Sequence, residues 1–167
     1  MTRAEATYLA KQTLMLAQKS LDDNGLSDII ICPETMGKIN QLGTLEEVLE
    51  LCTVDERFLP TVDFGHLNAR TLGGIRSRGD YAKMLDLIEN ELGHERLSNM
   101  HVHFSKIEYT AGGEKRHLTF ADKQYGPQYE PLMEEFHKRS LQPSIICESD
   151  GTQAEDAAEM KKYFESL

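Results

Sequence analysis

Cysteine is scarce in this sequence of 167 residues, and its three copies form no metal-binding or disulfide pattern. Cys32, Cys52 and Cys147 cannot all pair with one another, and none of them belongs to a CxxC motif. The spacing therefore argues against a structural zinc site and a disulfide framework. We expect three free, mostly buried thiols in a reducing compartment.

Long hydrophobic runs and several common motifs are also missing. No apolar segment approaches the roughly 20 residues of a transmembrane helix, and the first residues lack the apolar stretch of a secretory signal. There is no GxGxxG or Walker motif and no evident Ser-His-Asp or Cys-His arrangement. We therefore predict a cytoplasmic protein without a membrane partner.

Positive charge is in the minority, with 18 Lys and Arg residues against 28 Asp and Glu residues and a formal net charge of −10. This balance argues against broad, non-specific binding of nucleic acids, which depends on neutralising phosphates. It leaves room for a local basic cleft. It also suits a pocket that attracts divalent cations.

Short apolar runs alternate with helical patterns along the chain. Two capping boxes, Thr2 with Glu5 and Thr44 with Glu47, predict helix starts. Strands are predicted within residues 29–32, 58–66, 98–104 and 144–147, and loops at 37–43, 65–79 and 105–127. One helix followed by four βα units fits an open doubly wound sheet or half of a TIM barrel, which typically takes about 250 residues. We interpret residues 1–167 as a single domain.

Each predicted strand ends close to a residue that can bind a metal ion. Glu34, Asp63, His101 and Glu148 are contributed one per unit, and in parallel βα folds the chemistry lies at these strand ends. Three carboxylates and one imidazole suit Zn²⁺, Mn²⁺, Mg²⁺ or Fe²⁺. Without a cation, three carboxylates in one pocket would repel one another and raise their own pKa values.

Other polar residues extend this candidate site. His103 lies two residues beyond His101 on the same face of its strand, and it is a possible ligand or supporting residue. His66 and His117, together with Glu114, are candidates for a second cation. Basic residues flank the second and third loops and are candidates for binding phosphate, although an ordinary charged surface explains them equally well: Arg70, Arg76, Arg78, Lys106, Lys115 and Arg116.

Five segments together resemble the endonuclease IV family of apurinic/apyrimidinic endonucleases, within the wider xylose isomerase-like TIM barrels. They are Ile31-Cys32-Pro33-Glu34-Thr35, Val62-Asp63-Phe64-Gly65-His66, the segment 99–106 with His101 and His103, Lys115-Arg116-His117, and Ile146-Cys147-Glu148. The likeness covers nearly the whole chain but only the C-terminal half of that family's barrel. The resemblance therefore favours a (βα)4 half of a TIM barrel, with parallel strands and outer helices preceded by one helix.

The resemblance also implies a set of metal ligands. Glu34, Asp63, His101 and Glu148 correspond to the ligands of one central metal, while His103 stands where the family has Asn. His66 and His117 correspond to ligands of a further metal, for which the family's Asp is replaced by Lys115, with Glu114 nearby. Two further histidine ligands of the family's three-zinc cluster have no counterpart in this sequence.

By this resemblance, the expected activity is zinc-dependent hydrolysis of a phosphodiester 5′ to an abasic site in DNA. Glu148 would lie beside the attacking water, with Glu34 as the second catalytic carboxylate, and the chain alone would be weakly active or inactive. The alternative is a sugar isomerase or epimerase that uses one Mn²⁺ or Mg²⁺ and transfers protons through Glu34 and Glu148. A non-enzymatic interaction module that binds no metal is a third reading.

A half barrel would expose two edge strands and the apolar interior of its sheet. We therefore expect a homodimer or a larger assembly that completes the barrel.

Overall fold

The structure is a computed structural model that describes residues 1–167. Its helices are α1 (Arg3–Asp23), α2 (Leu45–Cys52), α3 (Phe64–Arg70), α4 (Arg78–Leu92), α5 (His94–Ser98), α6 (Glu130–Arg139) and α7 (Gln153–Phe164). Its strands are β1 (Thr61–Asp63), β2 (His101–Phe104), β3 (Lys106–Thr110), β4 (Gly113–Leu118) and β5 (Ser144–Cys147). None of the helices combines the length and hydrophobicity needed to cross a bilayer.

Both predicted capping boxes are present at helix starts. The Thr2 hydroxyl accepts a hydrogen bond from the backbone N–H of Glu5, and the Glu5 carboxylate accepts one from the N–H of Thr2. Thr44 and Glu47 make the same reciprocal pair ahead of α2. Each pair satisfies two N–H groups that the first helical turn leaves without partners.

The main sheet is parallel, with the strand order β1-β2-β5. Val62 and Val102 are partners in the register of β1 and β2, and both are buried on the face that packs against the helices. Because side chains alternate along a strand, Asp63 and His103 lie on the opposite face, which would line the inside of a barrel. The sheet therefore places apolar packing on one face and polar chemistry on the other.

The predicted α/β half barrel is confirmed. Parallel strands carry helices on their outer face, and the sheet does not close into a barrel. A core cluster of 25 buried residues lies between the sheet and the helices, with Phe58, Leu85 and Phe136 among its largest members. The helix predicted after the second loop is α4, which ends at Leu92 with Gly93 as its C-cap, and the predicted fourth strand is β5.

The first predicted strand is less regular than the sequence indicated. Ile29 and Ile30 are 48% and 52% exposed rather than buried on both faces. Pairing with the segment before β1 begins at Ile31, whose carbonyl accepts a hydrogen bond from Leu59, and only Glu34 forms a regular bridge, to Thr61. Residues 29–32 therefore form the start of an open sheet edge, because no strand lies on their other side.

Two of the predicted loops contain regular structure. Residues 65–79 include most of α3, and residues 105–127 include the antiparallel hairpin of β3 and β4. The hairpin turns at Ala111-Gly112, and Gly113, which begins β4, has a φ of +91°. A two-residue turn that contains glycine favours a tight hairpin, but the charged residues on both sides made this segment resemble a loop.

Candidate metal centre

The junction of β1 and α3 places two of the predicted ligands beside each other. Asp63 ends β1 and is also the N-cap of α3, where its Oδ1 accepts a 2.7 Å hydrogen bond from the backbone N–H of His66. The Asp-x-x-His spacing therefore puts both side chains at the same end of one helix. Gly65 lies between them because a Cβ there would come within 2.5 Å of the Ser105 carbonyl oxygen.

A first group of ligand-capable side chains gathers at the C-terminal ends of the parallel strands. Glu34, Asp63, His103 and Glu148 each offer one ligand atom, and these four atoms lie within 4.8 Å of one another. The Nδ1 atom of His103 lies 3.1 Å from Glu34 Oε1 and 3.3 Å from Glu148 Oε1. Three carboxylates and an imidazole at this spacing can hold a divalent cation.

A second group lies directly beside the first. His66, Glu114 and His117 also offer ligand atoms within 4.8 Å of one another. Glu114 Oε2 lies 3.5 Å from His66 Nε2, and Glu114 Oε1 lies 3.9 Å from His117 Nε2. His66 joins the two groups, because its Nδ1 lies 3.4 Å from Asp63 Oδ2.

The hydrogen bonds of two imidazoles determine which nitrogen faces the second group. His66 Nδ1 lies 2.9 Å from the carbonyl oxygen of Thr35. A carbonyl oxygen can only accept, so Nδ1 donates to it, and Nε2 is the nitrogen directed toward Glu114. His117 Nδ1 lies 2.9 Å from the buried hydroxyl of Ser105, which leaves its Nε2 on the same side.

These supporting contacts were not predicted from the sequence. Thr35 and Ser105 lie within the segments that carry the family resemblance, but no charge or spacing marks the carbonyl of Thr35 or the hydroxyl of Ser105 as a histidine partner. Thr35 also accepts a 2.9 Å hydrogen bond from the backbone N–H of Asp63 through its hydroxyl. Outer contacts of this kind orient metal-binding side chains in many sites.

Asp63 is the most unusual side chain of the centre. It is fully buried, and its Oδ2 atom has no hydrogen-bond partner. Burial, together with the nearby charge of Glu148, raises the pKa of Asp63, although the adjacent His66 and His117 act in the opposite direction. An unpartnered buried carboxylate oxygen costs folding free energy unless a cation or proton satisfies it. The donor set therefore fits a bound divalent cation.

Glu34 and His103 stabilise each other's charged forms. Burial acts to raise the pKa of Glu34, but its hydrogen bond to His103 and the charges of the surrounding histidines outweigh burial and lower it. The same hydrogen bond raises the pKa of His103, with further contributions from Glu148 and Asp63, against the opposing effect of burial. These shifts favour an ion pair between Glu34 and His103. A bound metal cation would take the place of the proton on His103.

His103, rather than His101, joins the first group. His101 is the register partner of Thr61, whereas His103 is the partner of Asp63, one full pleat closer to the C-terminal ends of the strands. Both imidazoles lie on the same face of β2, but only His103 reaches the level of the carboxylates. The family resemblance had favoured His101 as the ligand, and the register of the sheet explains the difference.

Three of the six basic candidates for binding phosphate are engaged within the chain: Arg70, Lys106 and Arg116. Lys106 is buried, and its Nζ donates to the carbonyl oxygens of Phe120 at 2.8 Å and Asp122 at 2.7 Å. Burial lowers the pKa of Lys106. Arg116 donates to Glu108 through Nε at 2.7 Å. Arg70 donates to backbone carbonyls, so none of the three directs a free cation at the centre.

The fold and the site together define a class of protein: a partial TIM barrel whose strand ends carry acidic and histidine side chains able to hold divalent cations. Residues 10–167 match the family described as xylose isomerase-like TIM barrel, and the chain belongs to that family.

A curated relative extends this comparison. The chain is 36% identical over 138 residues to an uncharacterised protein of Methanocaldococcus jannaschii. The matched region covers 83% of this chain and 50% of the relative, so the chain spans about half the length of that protein.

Proposed function

We propose that this chain provides the metal-binding half of a zinc-dependent phosphodiesterase of the endonuclease IV type, with abasic sites in DNA as its substrate. The observation that carries the proposal is the pair of adjoining ligand groups, one with three carboxylates and an imidazole, the other with two imidazoles and a carboxylate. Adjacent cations are a common arrangement for phosphodiester cleavage.

The donor chemistry supports zinc. Imidazole nitrogens and carboxylate oxygens are ordinary Zn²⁺ ligands, and the second group offers two imidazoles around one carboxylate. Glu34, Asp63, His103 and Glu148 would hold one cation, and His66, Glu114 and His117 the other. When bound, such cations would supply Lewis-acid stabilisation of the charge that develops on a phosphoryl group.

A carboxylate of the chain would accept the proton of the attacking water. Glu148 follows β5 and faces both groups, with Oε1 3.3 Å from His103 Nδ1 and Oε2 4.0 Å from His117 Nδ1. A carboxylate between the two groups is placed to orient an attacking water and to accept its proton. Glu34 lies 3.1 Å from the same nitrogen of His103 and would be a ligand of the first cation together with Glu148.

One observation favours a second candidate, a sugar isomerase or epimerase with a single Mn²⁺ or Mg²⁺. Glu34 and Glu148 both contact the same nitrogen of His103, which arranges two carboxylates around one small space. Such a pair suits proton transfer to and from neighbouring carbons of a sugar. The formal net charge of −10 also suits a neutral sugar better than a polyanion.

The two candidates differ in metal content and substrate. The chain is stripped with a chelator and dialysed against Zn²⁺ or Mn²⁺, and the bound metal per chain is measured. It is then assayed with a duplex oligonucleotide that carries a single abasic site, and separately with a panel of aldoses and ketoses. Glu148→Gln serves as the inactive variant and Glu155→Gln, on the exposed first turn of α7, as the matched control.

We expect two Zn²⁺ per chain and slow cleavage 5′ to the abasic site, which Glu148→Gln abolishes and Glu155→Gln preserves. A single exchangeable cation with interconversion of sugars would replace the proposal with the second candidate. If no metal binds even at high Zn²⁺, both enzymatic candidates fail and the chain is a non-enzymatic module.

A further inference from the structure

Arg70 binds the loop of residues 36–41 through its guanidinium group. It lies at the end of α3, and its Nη1 atom donates to the carbonyl oxygens of Met36 and Lys38, both at 2.8 Å. Its Nη2 atom donates to the carbonyl oxygens of Ile39 at 3.2 Å and Gln41 at 2.8 Å. Four backbone acceptors around one planar cation hold residues 36–41, and Arg3 donates to two of the same carbonyls, those of Ile39 and Gln41.

The loop formed by residues 36–41 is in turn bound to the tip of the β3–β4 hairpin. The Gly37 carbonyl oxygen accepts a 3.0 Å hydrogen bond from the backbone N–H of Glu114. In the other direction, the N–H of Ile39 donates to the carbonyl oxygen of Gly112, also at 3.0 Å. The position of the loop therefore determines where the backbone of Glu114 lies.

Gly37 brings the loop against the second ligand group without leaving space for a side chain. A Cβ at this position would lie 2.6 Å from Glu114 Cβ, 2.7 Å from Glu114 Oε2 and 3.0 Å from His66 Cδ2. These are shorter than ordinary contacts between carbon atoms. The backbone of Gly37 thus forms a wall behind the carboxylate that faces His66.

We infer that Arg70 is a positioning residue for the second cation, acting through the loop of residues 36–41 to hold Glu114 opposite His66 and His117. The inference rests on the proposed function, because it assumes that this second group binds a metal ion. Arg70 itself lies outside both ligand groups. Its effect is therefore expected on the affinity of the second cation and not on that of the first.

The central experiment compares two substitutions of Arg70 by Zn²⁺ titration of the chelator-treated protein, followed with a competing chromophoric chelator. Arg70→Lys keeps the positive charge but loses the planar arrangement of donors, and Arg70→Gln loses both. Arg76→Gln is the matched control, since Arg76 donates to the carbonyl of Gly73 in a loop that does not support Glu114. His117→Ala identifies which binding step belongs to the second cation.

Both Arg70 substitutions should weaken the second Zn²⁺ step by about 10- to 100-fold, the usual range for outer contacts of a metal site. The first step and the thermal midpoint without metal should stay within about twofold and a few degrees of the unmodified chain, because Arg70 is a partly exposed surface contact. Arg70→Lys should bind the second Zn²⁺ as weakly as Arg70→Gln does. This result would show that the planar arrangement of donors matters, and not the positive charge alone.

Gly37→Ala tests the same contact from the other side. The added methyl group would displace the Glu114 carboxylate, so this variant should also lose the second step while retaining the first. An unmodified chain that binds only one Zn²⁺ would overturn the proposed function and this inference with it. Two Zn²⁺ in the unmodified chain and in both Arg70 variants, with unchanged affinities, would overturn this inference alone. Equal weakening of both steps would show a general structural role and would also overturn it.

Discussion

Asp63 and His103 are register partners across β1 and β2, so a buried carboxylate and a half-buried imidazole face each other at the end of a parallel sheet. Taken singly, an aspartate or a histidine at a strand end can be a metal ligand or an ordinary polar contact. Their pairing determines the position along the strands at which the ligands converge. Glu148, which follows β5, lies at the same position because its backbone N–H donates to the carbonyl oxygen of Phe104.

This register predicts different outcomes for the two histidines of β2. His103→Ala should weaken binding of the first Zn²⁺ by at least about tenfold, because it removes one donor of the first group. His101→Ala should leave the affinity nearly unchanged, since His101 lies one pleat farther from the carboxylates. Isothermal titration with Zn²⁺ measures both. A larger loss for His101→Ala would mean that the ligand is the one indicated by the family resemblance.

Asp63→Asn should stabilise the protein without metal while impairing metal binding. Burial raises the pKa of Asp63, so the folded state holds this proton more tightly than the unfolded state does. The free energy of unfolding therefore falls as the pH rises from the ordinary value of 3.8 through the raised pKa. An uncharged amide avoids this loss, and we expect a gain of about 1 kcal/mol at neutral pH.

Urea unfolding in the presence of a chelator, at pH 5 and at pH 7.5, checks the Asp63 prediction. The gain should be larger at the higher pH. Asp23→Asn is the matched control, because Asp23 is exposed and pairs only with Lys19 on α1. A variant that is less stable than the unmodified chain at pH 7.5 would show that the Asp63 carboxylate is satisfied by means other than a bound cation.

Local and periodic features of the sequence were sufficient for the fold class. The capping boxes at Thr2 and Thr44 predict helix starts because their hydrogen bonds involve residues only three positions apart. Alternating strands and helices imply a parallel sheet, and parallel strands bring their C-terminal ends together. The sequence pattern therefore predicts that Glu34, Asp63 and Glu148 lie at one edge of the sheet.

The remaining features depend on contacts between distant segments. Choosing His103 over His101 requires the register of β1 and β2, which single-strand patterns do not contain. The carbonyl hydrogen bonds of Arg70 depend on a loop about 30 residues earlier, so a surface arginine could not be distinguished from a phosphate ligand. Residues 29–32 are apolar enough for a buried strand, but Ile29 and Ile30 are exposed because no strand pairs with their open side.

The three thiols should differ sharply in reactivity. Burial raises the pKa of Cys52 to about 12 and that of Cys147 to about 11. Cys32 is partly exposed, although burial raises its pKa as well. With an aromatic disulfide reagent at pH 8, one thiol per chain should react readily in the folded state and three after unfolding in urea. Rapid reaction of all three in the folded state would contradict this burial.

The same pKa values predict how stability depends on alkaline pH. The folded state keeps protons on Cys52 and Cys147 that the unfolded chain loses above its ordinary thiol pKa of 9.0. The free energy of unfolding should therefore fall as the pH rises from 9 toward 11. Cys52→Ala should reduce this slope, although it will also lower stability at neutral pH by leaving a small cavity.

The open sheet predicts self-association through its inner face and its edges. Ile30 is 52% exposed beside the first edge, and Ile146, the register partner of His103, is 50% exposed near the other edge. A second copy related by a two-fold axis along the barrel would place β5 of each chain beside residues 31–35 of the other, with all strands parallel.

Sedimentation velocity should therefore show a dimer that Ile146→Lys dissociates, because a charge would be buried in the interface. Leu72→Lys, at an exposed leucine near the end of α3, is the control that should remain dimeric. A monomer at all concentrations would show that these edges are not covered by a second copy of the chain.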